Sequence, residues 1–147
     1  MCVIVDANVA ADVFVHRLPD FKALLKWVED GDGKLVFGGR LAAELSKVSS
    51  VCNLLTELHR NGRAIRKSDA AVMAEERTVM AMALCGSNDA HVIALARVSG
   101  ARVLCSHDKK LHADFKNKKL VPNPRGRVYQ SNHHARVLHH DPGCGSS

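Results

Sequence analysis

Two short apolar runs, Val3-Ile4-Val5 and Val103-Leu104-Cys105, give way within three residues to an aspartate, Asp6 in one case and Asp108 in the other. Runs this short, with no polar alternation, read as strands buried on both faces. Such strands belong to parallel sheets covered by helices on each side. The chain between and around them therefore has to supply those helices.

It does so in alternation. Residues 9–15 and 21–29 have helical spacing, with Phe21, Leu24, Leu25 and Val28 on one stripe and Pro19-Asp20 marking the second start. Gly31-Asp32-Gly33 ends that helix, and Leu35-Val36-Phe37 is the next predicted strand, closed by Gly38-Gly39. A helix is predicted from Arg40 to about His59, with a break at Ser49-Ser50 and an end at Asn61-Gly62, before a small strand at Ala64-Ile65. Residues 69–84 are rich in Ala, Met and Glu, a strong helix composition that Gly86 stops. Ser87-Asn88 offers a cap for a helix from Asp89 to about Val98, which Gly100 ends before the Arg102–Cys105 run. Leu111, Phe115 and Leu120 mark a last short helix. The expected fold is α/β, a three-layer α/β/α sandwich with a mainly parallel central sheet. At 147 residues and 46% hydrophobic content the length is that of one domain.

In an open parallel sheet, functional residues gather beyond the carboxyl ends of the strands, where connections diverge to opposite faces. Asp6 and Asp108 are expected at two such ends, and Glu44 and Asp89 reach the same crevice from helices. Four carboxylates are hard oxygen ligands, the kind Mg²⁺ and Mn²⁺ prefer. Without a cation they repel one another and raise at least one pKa. Taken singly, Asp89 and Glu44 also fit ordinary helix carboxylates. Asp6 is harder to dismiss, because a carboxylate directly after a buried strand needs a partner.

The charge of +6 is unevenly placed: residues 1–101 hold 12 basic and 12 acidic residues, whereas residues 102–136 hold 9 basic and 2 acidic. A basic third beside an acidic cluster suggests a polyanionic ligand held by its phosphates, with Lys109, Lys110, Arg125 and Arg127 as candidate contacts. Aromatics are only 4%, so broad base-stacking platforms are not evident. Five dispersed cysteines form no Cys-x-x-Cys pair, and the four in apolar surroundings are most simply buried thiols. With no stretch approaching the ~18 apolar residues of a membrane helix, the expectation is a soluble, cytoplasmic protein with no membrane association.

The segments Val3-Ile4-Val5-Asp6-Ala7-Asn8-Val9, Leu41-Ala42-Ala43-Glu44-Leu45, Asn88-Asp89-Ala90-His91-Val92-Ile93-Ala94-Leu95-Ala96 and Val103-Leu104-Cys105-Ser106-His107-Asp108 together resemble the successive motifs of PIN-domain ribonucleases. The likeness covers roughly residues 1–121. It implies Mg²⁺- or Mn²⁺-dependent cleavage of RNA, with Asp6, Glu44, Asp89 and Asp108 as catalytic and metal-holding residues. Asn8 matches the polar position beside the first acid, a loop-shaping role. Ser106 matches the hydroxyl position before the last, a donor to a ligated carboxylate. Many relatives place a further acid or amide soon after the last aspartate. Here Lys109 and Lys110 follow, leaving Asp114 or Asn117 as substitutes. The resemblance also implies a toxin of a toxin–antitoxin pair, with a cognate antitoxin partner and a homodimer.

Other residues receive plainer readings. Asp12 reads as an exposed or capping acid outside the site, and His91 and His107, which flank the acids, as packing or solvated residues. Residues 122–147 read as a basic, His-rich extension with an edge strand near 127–130. Its His133-His134, His139-His140 and Cys144 match no established zinc spacing, and it is expected to be a disordered or docking tail. Two alternatives to a toxin nuclease stand beside the leading reading: an RNA-processing or nucleic-acid-binding protein without a toxin role, and a phospho-accepting signalling domain. The last needs paired acids after the first strand, and Asp6 is followed by Ala7.

Overall fold

The computed structural model describes residues 2–139. Five strands, β1 (Cys2–Val5), β2 (Lys34–Gly38), β3 (Ala64–Lys67), β4 (Val103–Cys105) and β5 (Arg127–Tyr129), form one sheet in the order β3-β2-β1-β4-β5. Every neighbouring pair is parallel. The two predicted central strands lie side by side, Val3 opposite Val103 and Val5 opposite Cys105. All of their residues are buried, which is why neither shows alternation.

Helices cover both faces, giving the expected PIN-like α/β/α sandwich. On one side α3 (Gly39–Leu45), α5 (Asp69–Ala81) and α6 (Ala90–Ser99) pack together. The other group comprises α2 (Lys22–Glu29), α4 (Ser49–Arg60) and a π-helical turn, Ala11–Val15, that continues α1 (Ala7–Ala10). The core is mostly Val, Leu, Ile and Ala; α6 buries seven of its ten residues, and its apolar character all round is what a helix between a sheet and another helix requires.

The helix predicted over 40–59 is two helices, interrupted at Ser46–Val48, a few residues before the expected break. Gly38 and Gly39 pass from β2 straight into α3 with φ of 154° and 59°. A Cβ there would meet Lys67 O at 2.6 Å and Val72 Cγ1 at 2.8 Å, so only glycine makes this turn and delivers Glu44 to the sheet's carboxyl edge.

After α7 (Lys109–Lys116), Leu120 and Val121 are fully buried and the chain returns to form β5. The segment beyond it, expected to trail, instead folds into 3₁₀ turns over Asn132–His139 against α2 and β5. Asn132 fixes it: its amide donates to Pro19 O at 2.7 Å, and its oxygen accepts from Ala23 N and from the Tyr129 hydroxyl. These partners lie more than a hundred residues away in sequence for Pro19 and Ala23, beyond the reach of local pattern. The His140 and Cys144 parts of the tail reading lie outside the described residues. Cys52, Cys85 and Cys105 are free thiols, and burial pushes Cys105 up to about 12. Cys2 is disulfide-bonded rather than a thiol, a pairing that dispersed spacing does not reveal. Among the described residues no helix is long and apolar enough to cross a membrane.

Candidate functional site

From β1 the chain moves outward to β2 and β3, then crosses back to β4 on the other side of β1. The carboxyl ends of β1 and β4 therefore flank the point where connections diverge, the position at which open α/β sheets form their crevice. Asp6 follows β1 directly, its amide donating to Cys105 O at 2.9 Å, so the two strand ends are tied together at the crevice floor.

Asp6 is almost wholly buried. Its Oδ1 accepts from Ala7 N at 2.8 Å, capping α1, and its Oδ2 accepts from Ser106 Oγ at 2.8 Å. Burial still raises its pKa; the two hydrogen bonds oppose that rise, and the Glu44 carboxylate adds to it. Asp89, at the start of α6, makes no capping bond with its side chain. Its pKa is raised by burial first and then by Asp6, Asp108 and Glu44, with His91 pulling the other way. One carboxyl thus feels the other three predicted acids. The structure brings the quartet within electrostatic reach of itself.

Each acid is held by a neighbour. Glu44 Oε1 accepts from His91 Nε2 at 2.8 Å. His91 is buried and its Nδ1 has no hydrogen-bond partner among the described residues, so the carboxylate, which only accepts, keeps the ring proton on Nε2. Asp108 caps α7, its Oδ1 accepting from Lys110 N at 2.9 Å and Leu111 N at 3.3 Å. Ser106 links this acid to the first, donating to Asp6 and accepting from Asp108 N at 3.1 Å. The β4–α7 loop is clamped twice more: Asn8 Oδ1 accepts from His107 N at 3.3 Å, and buried His112 donates from Nε2 to Ser106 O at 2.6 Å.

A matching arrangement precedes Asp89. Ser87 Oγ donates to Asp114 Oδ2 at 2.6 Å and accepts from Asp89 N at 3.3 Å, while Asp114 also accepts from Gly86 N and Ser87 N. Asp114 is buried and fully engaged in that loop, so it is a brace and not the spare ligand that its sequence position suggested. Asn117 is likewise spent locally, its side chain accepting from Lys119 N.

Two readings of single residues gain detail. Asp12, read as an exposed or capping acid, is partly exposed and caps no helix; its Oδ2 pairs with His107 Nε2 at 3.2 Å. His107 is exposed and stands edge-on to Phe21. His91 is packed as read but also positions Glu44, and His112 is a positioning residue that sequence reasoning missed. The one available signal was a histidine within a run of core residues, where an unpaired imidazole is costly.

The candidate basic residues divide. Lys109 and Lys110 are exposed on the first turn of α7, next to Asp108. Arg127 opens β5 opposite Val103, at the amino end of the strands, and Arg125 precedes it. These two arginines lie at the opposite rim of the sheet from the acids.

The donor chemistry fits a hard divalent cation. Among the described residues, however, no three His, Cys, Asp or Glu side chains close around a single point as they stand. That is compatible with Mg²⁺, which keeps several waters and takes one or two carboxylates directly.

No family model matches the sequence, and no curated protein is similar to it. Among solved structures, the fold is similar to a chain in the crystal structure of VapBC2 from Rickettsia felis bound to a DNA fragment from their promoter. The superposition has a TM-score of 0.53 at 14% identity and covers 88% of this chain and 100% of that one. At that identity the likeness is one of fold.

Proposed function

We propose that this chain is a metal-dependent RNA endonuclease and the toxin of a toxin–antitoxin pair, with Asp6, Glu44, Asp89 and Asp108 as its catalytic and metal-holding residues. The observation that carries the reading is the convergence of four carboxylates on the sheet's switch point, where burial first and then the charges of Asp6, Asp108 and Glu44 raise the pKa of Asp89. Clustered carboxylates that destabilise one another are retained where a cation relieves them.

When bound, a Mg²⁺ or Mn²⁺ ion would supply Lewis-acid activation of water and stabilisation of the leaving oxygen in phosphodiester hydrolysis. The protein's part is orientation. Ser106 fixes the Asp6 carboxylate and the Asp108 backbone, His91 fixes Glu44, and Asp114 holds the loop that presents Asp89. Lys109 and Lys110 would meet the RNA backbone beside Asp108, where their charge attracts phosphates without reading sequence.

The toxin role draws on the Rickettsia felis VapBC2 fold neighbour together with the motif resemblance. It implies a protein partner that covers the crevice and assembly as a homodimer, both open to direct measurement by co-purification and sedimentation.

The deciding experiment compares cleavage of labelled RNA in Mg²⁺ and Mn²⁺ by the wild-type protein, Asp6→Asn and Asp89→Asn. Metal-dependent cutting lost in both variants is expected. Equal activity in all three, or activity unaffected by chelation, removes the assignment.

A further inference from the structure

A cavity of about 280 Å³ opens beside the acid cluster, at the small end of the roughly 300–1,000 Å³ that ligand clefts span. None of the four acids lines it, but its walls adjoin the elements that carry them. Arg40 lies one helical turn before Glu44 on α3, about 5–6 Å away along the same face, and Asn88 and Ala90 flank Asp89. The apolar floor is buried Val79 and half-buried Ala90, with largely exposed Met80 on the wall.

The polar side is an ion pair. Arg40 Nη2 donates to Glu76 Oε2 at 2.7 Å; the Glu76 side chain is 10% exposed and that of Arg40 63%. A carboxylate so deep is not there for solubility, since an exposed one would serve equally and cost less to desolvate. Its effect is to anchor one arm of the guanidinium fork while the arginine side chain as a whole stays exposed. An arginine held in this way is pre-organised for planar, bidentate acceptors.

A slot with an apolar floor and a fixed guanidinium edge suits a flat heterocycle that presents two adjacent acceptors. Guanine does so through O6 and N7, the commonest partner of arginine among bases. The cavity is too shallow for a large ligand and lies one residue from Asp89 and one turn from Glu44. It therefore suits a base attached to the nucleotide next to the reacting phosphate. Resting on the nuclease reading above, we propose that this cavity is a base-recognition subsite in which Arg40, braced by Glu76, selects guanine next to the scissile bond.

The test uses the full chain and two separate readouts. Binding of fluorescent trinucleotides with G, A, C or U at the centre is measured by anisotropy without divalent metal. Cleavage of longer oligoribonucleotides carrying each base next to the cut is then measured in Mn²⁺. The wild-type protein is expected to favour G over A by about tenfold or more in both, the range that one bidentate base contact supports. Arg40→Lys keeps the charge and the Glu76 pair while losing the fork. In that variant the G-to-A ratio falls toward one.

Met80→Trp, at a largely exposed position on the cavity wall, fills the slot without touching the ion pair and weakens binding of all four trinucleotides. Cleavage without base preference, or a preference unchanged in Arg40→Lys, overturns the subsite and leaves the nuclease reading standing. Selective G binding without cleavage in any metal sinks the nuclease reading and keeps the subsite.

Discussion

Asp114 is the residue whose removal tests most of this architecture at once. Its carboxylate accepts from Gly86 N at 2.8 Å, Ser87 N at 3.0 Å and Ser87 Oγ at 2.6 Å, and it is only 5% exposed. Hydrogen bonds to a charged group contribute roughly 1.5–3 kcal/mol each, so three would sum to more than a typical single substitution costs. Part of that is recovered, because Gly86 is exposed and Ser87 half-buried, and their freed donors regain water. Asp114→Ala is therefore expected to cost about 2–4 kcal/mol, or roughly 5–15 °C in Tm for a chain of this size. Asp114→Asn, which keeps one acceptor oxygen, falls between the two. The assay is urea and thermal unfolding together with hydrogen exchange, in which Gly86, Ser87 and Asp89 lose protection before the sheet does. Loss of protection at Asp89 matters most, since it reports the brace acting through Ser87. If Asp114→Ala lies within about 0.5 kcal/mol of wild type and leaves exchange at these three amides unchanged, the brace is not one.

Other outcomes follow from the same geometry. The carboxyls of Asp6 and Asp89 are raised in the folded state, so in the window between the ordinary carboxylate range and their raised values the folded protein holds protons that the unfolded chain has lost. Stability of the metal-free protein then falls as pH rises through that window and levels off above it, and Asp89→Asn reduces the fall in urea titrations. Near neutral pH, Mg²⁺ or Mn²⁺ at a hundred times its Kd should stabilise the wild type by about 2.7 kcal/mol; calorimetry should find the gain much reduced in Asp6→Asn. His112→Ala removes the buried donor to Ser106 O and is expected to cost about 1–3 kcal/mol, with chemical-shift changes at Asp108 by NMR. Gly39→Ala drives a Cβ to 2.8 Å from Val72 Cγ1 at a positive φ, and denaturation should show a loss of about 1–3 kcal/mol.

The sandwich was legible because its signals are local. Uninterrupted apolar runs, glycines at Gly38, Gly39 and Gly100, and the Ala-rich helices each act within a few residues of themselves. The quartet was legible for a similar reason, as each acid sits at an element boundary that pattern marks. What holds the acids was not. Ser106 reaches Asp6 across a hundred residues and Asp114 reaches back over a helix and a strand to Gly86, so their roles depend on which elements pack together. The partner of Asp12 was hidden for the same reason, since His107 lies 95 residues away along the chain. The separation of Arg125 and Arg127 from Lys109 and Lys110 depended on strand direction. A charge count along the chain carries no such information.

The two serines placed two residues ahead of Asp89 and Asp108 share one design, and a hydroxyl has a single proton to give. Ser87 gives its proton to Asp114 and Ser106 to Asp6, while each receives the amide of the aspartate that follows. The two loops are therefore polarised: information about the state of one carboxylate travels through one oxygen to the backbone of another acid. Alanine at either serine would uncouple a pair that threonine or cysteine would leave partly linked. The non-additivity of a double-mutant cycle between Asp6 and Asp108 should thus shrink in Ser106→Ala, leaving the part that charge alone carries. Evolution cannot tune these two acids one at a time while the serine remains.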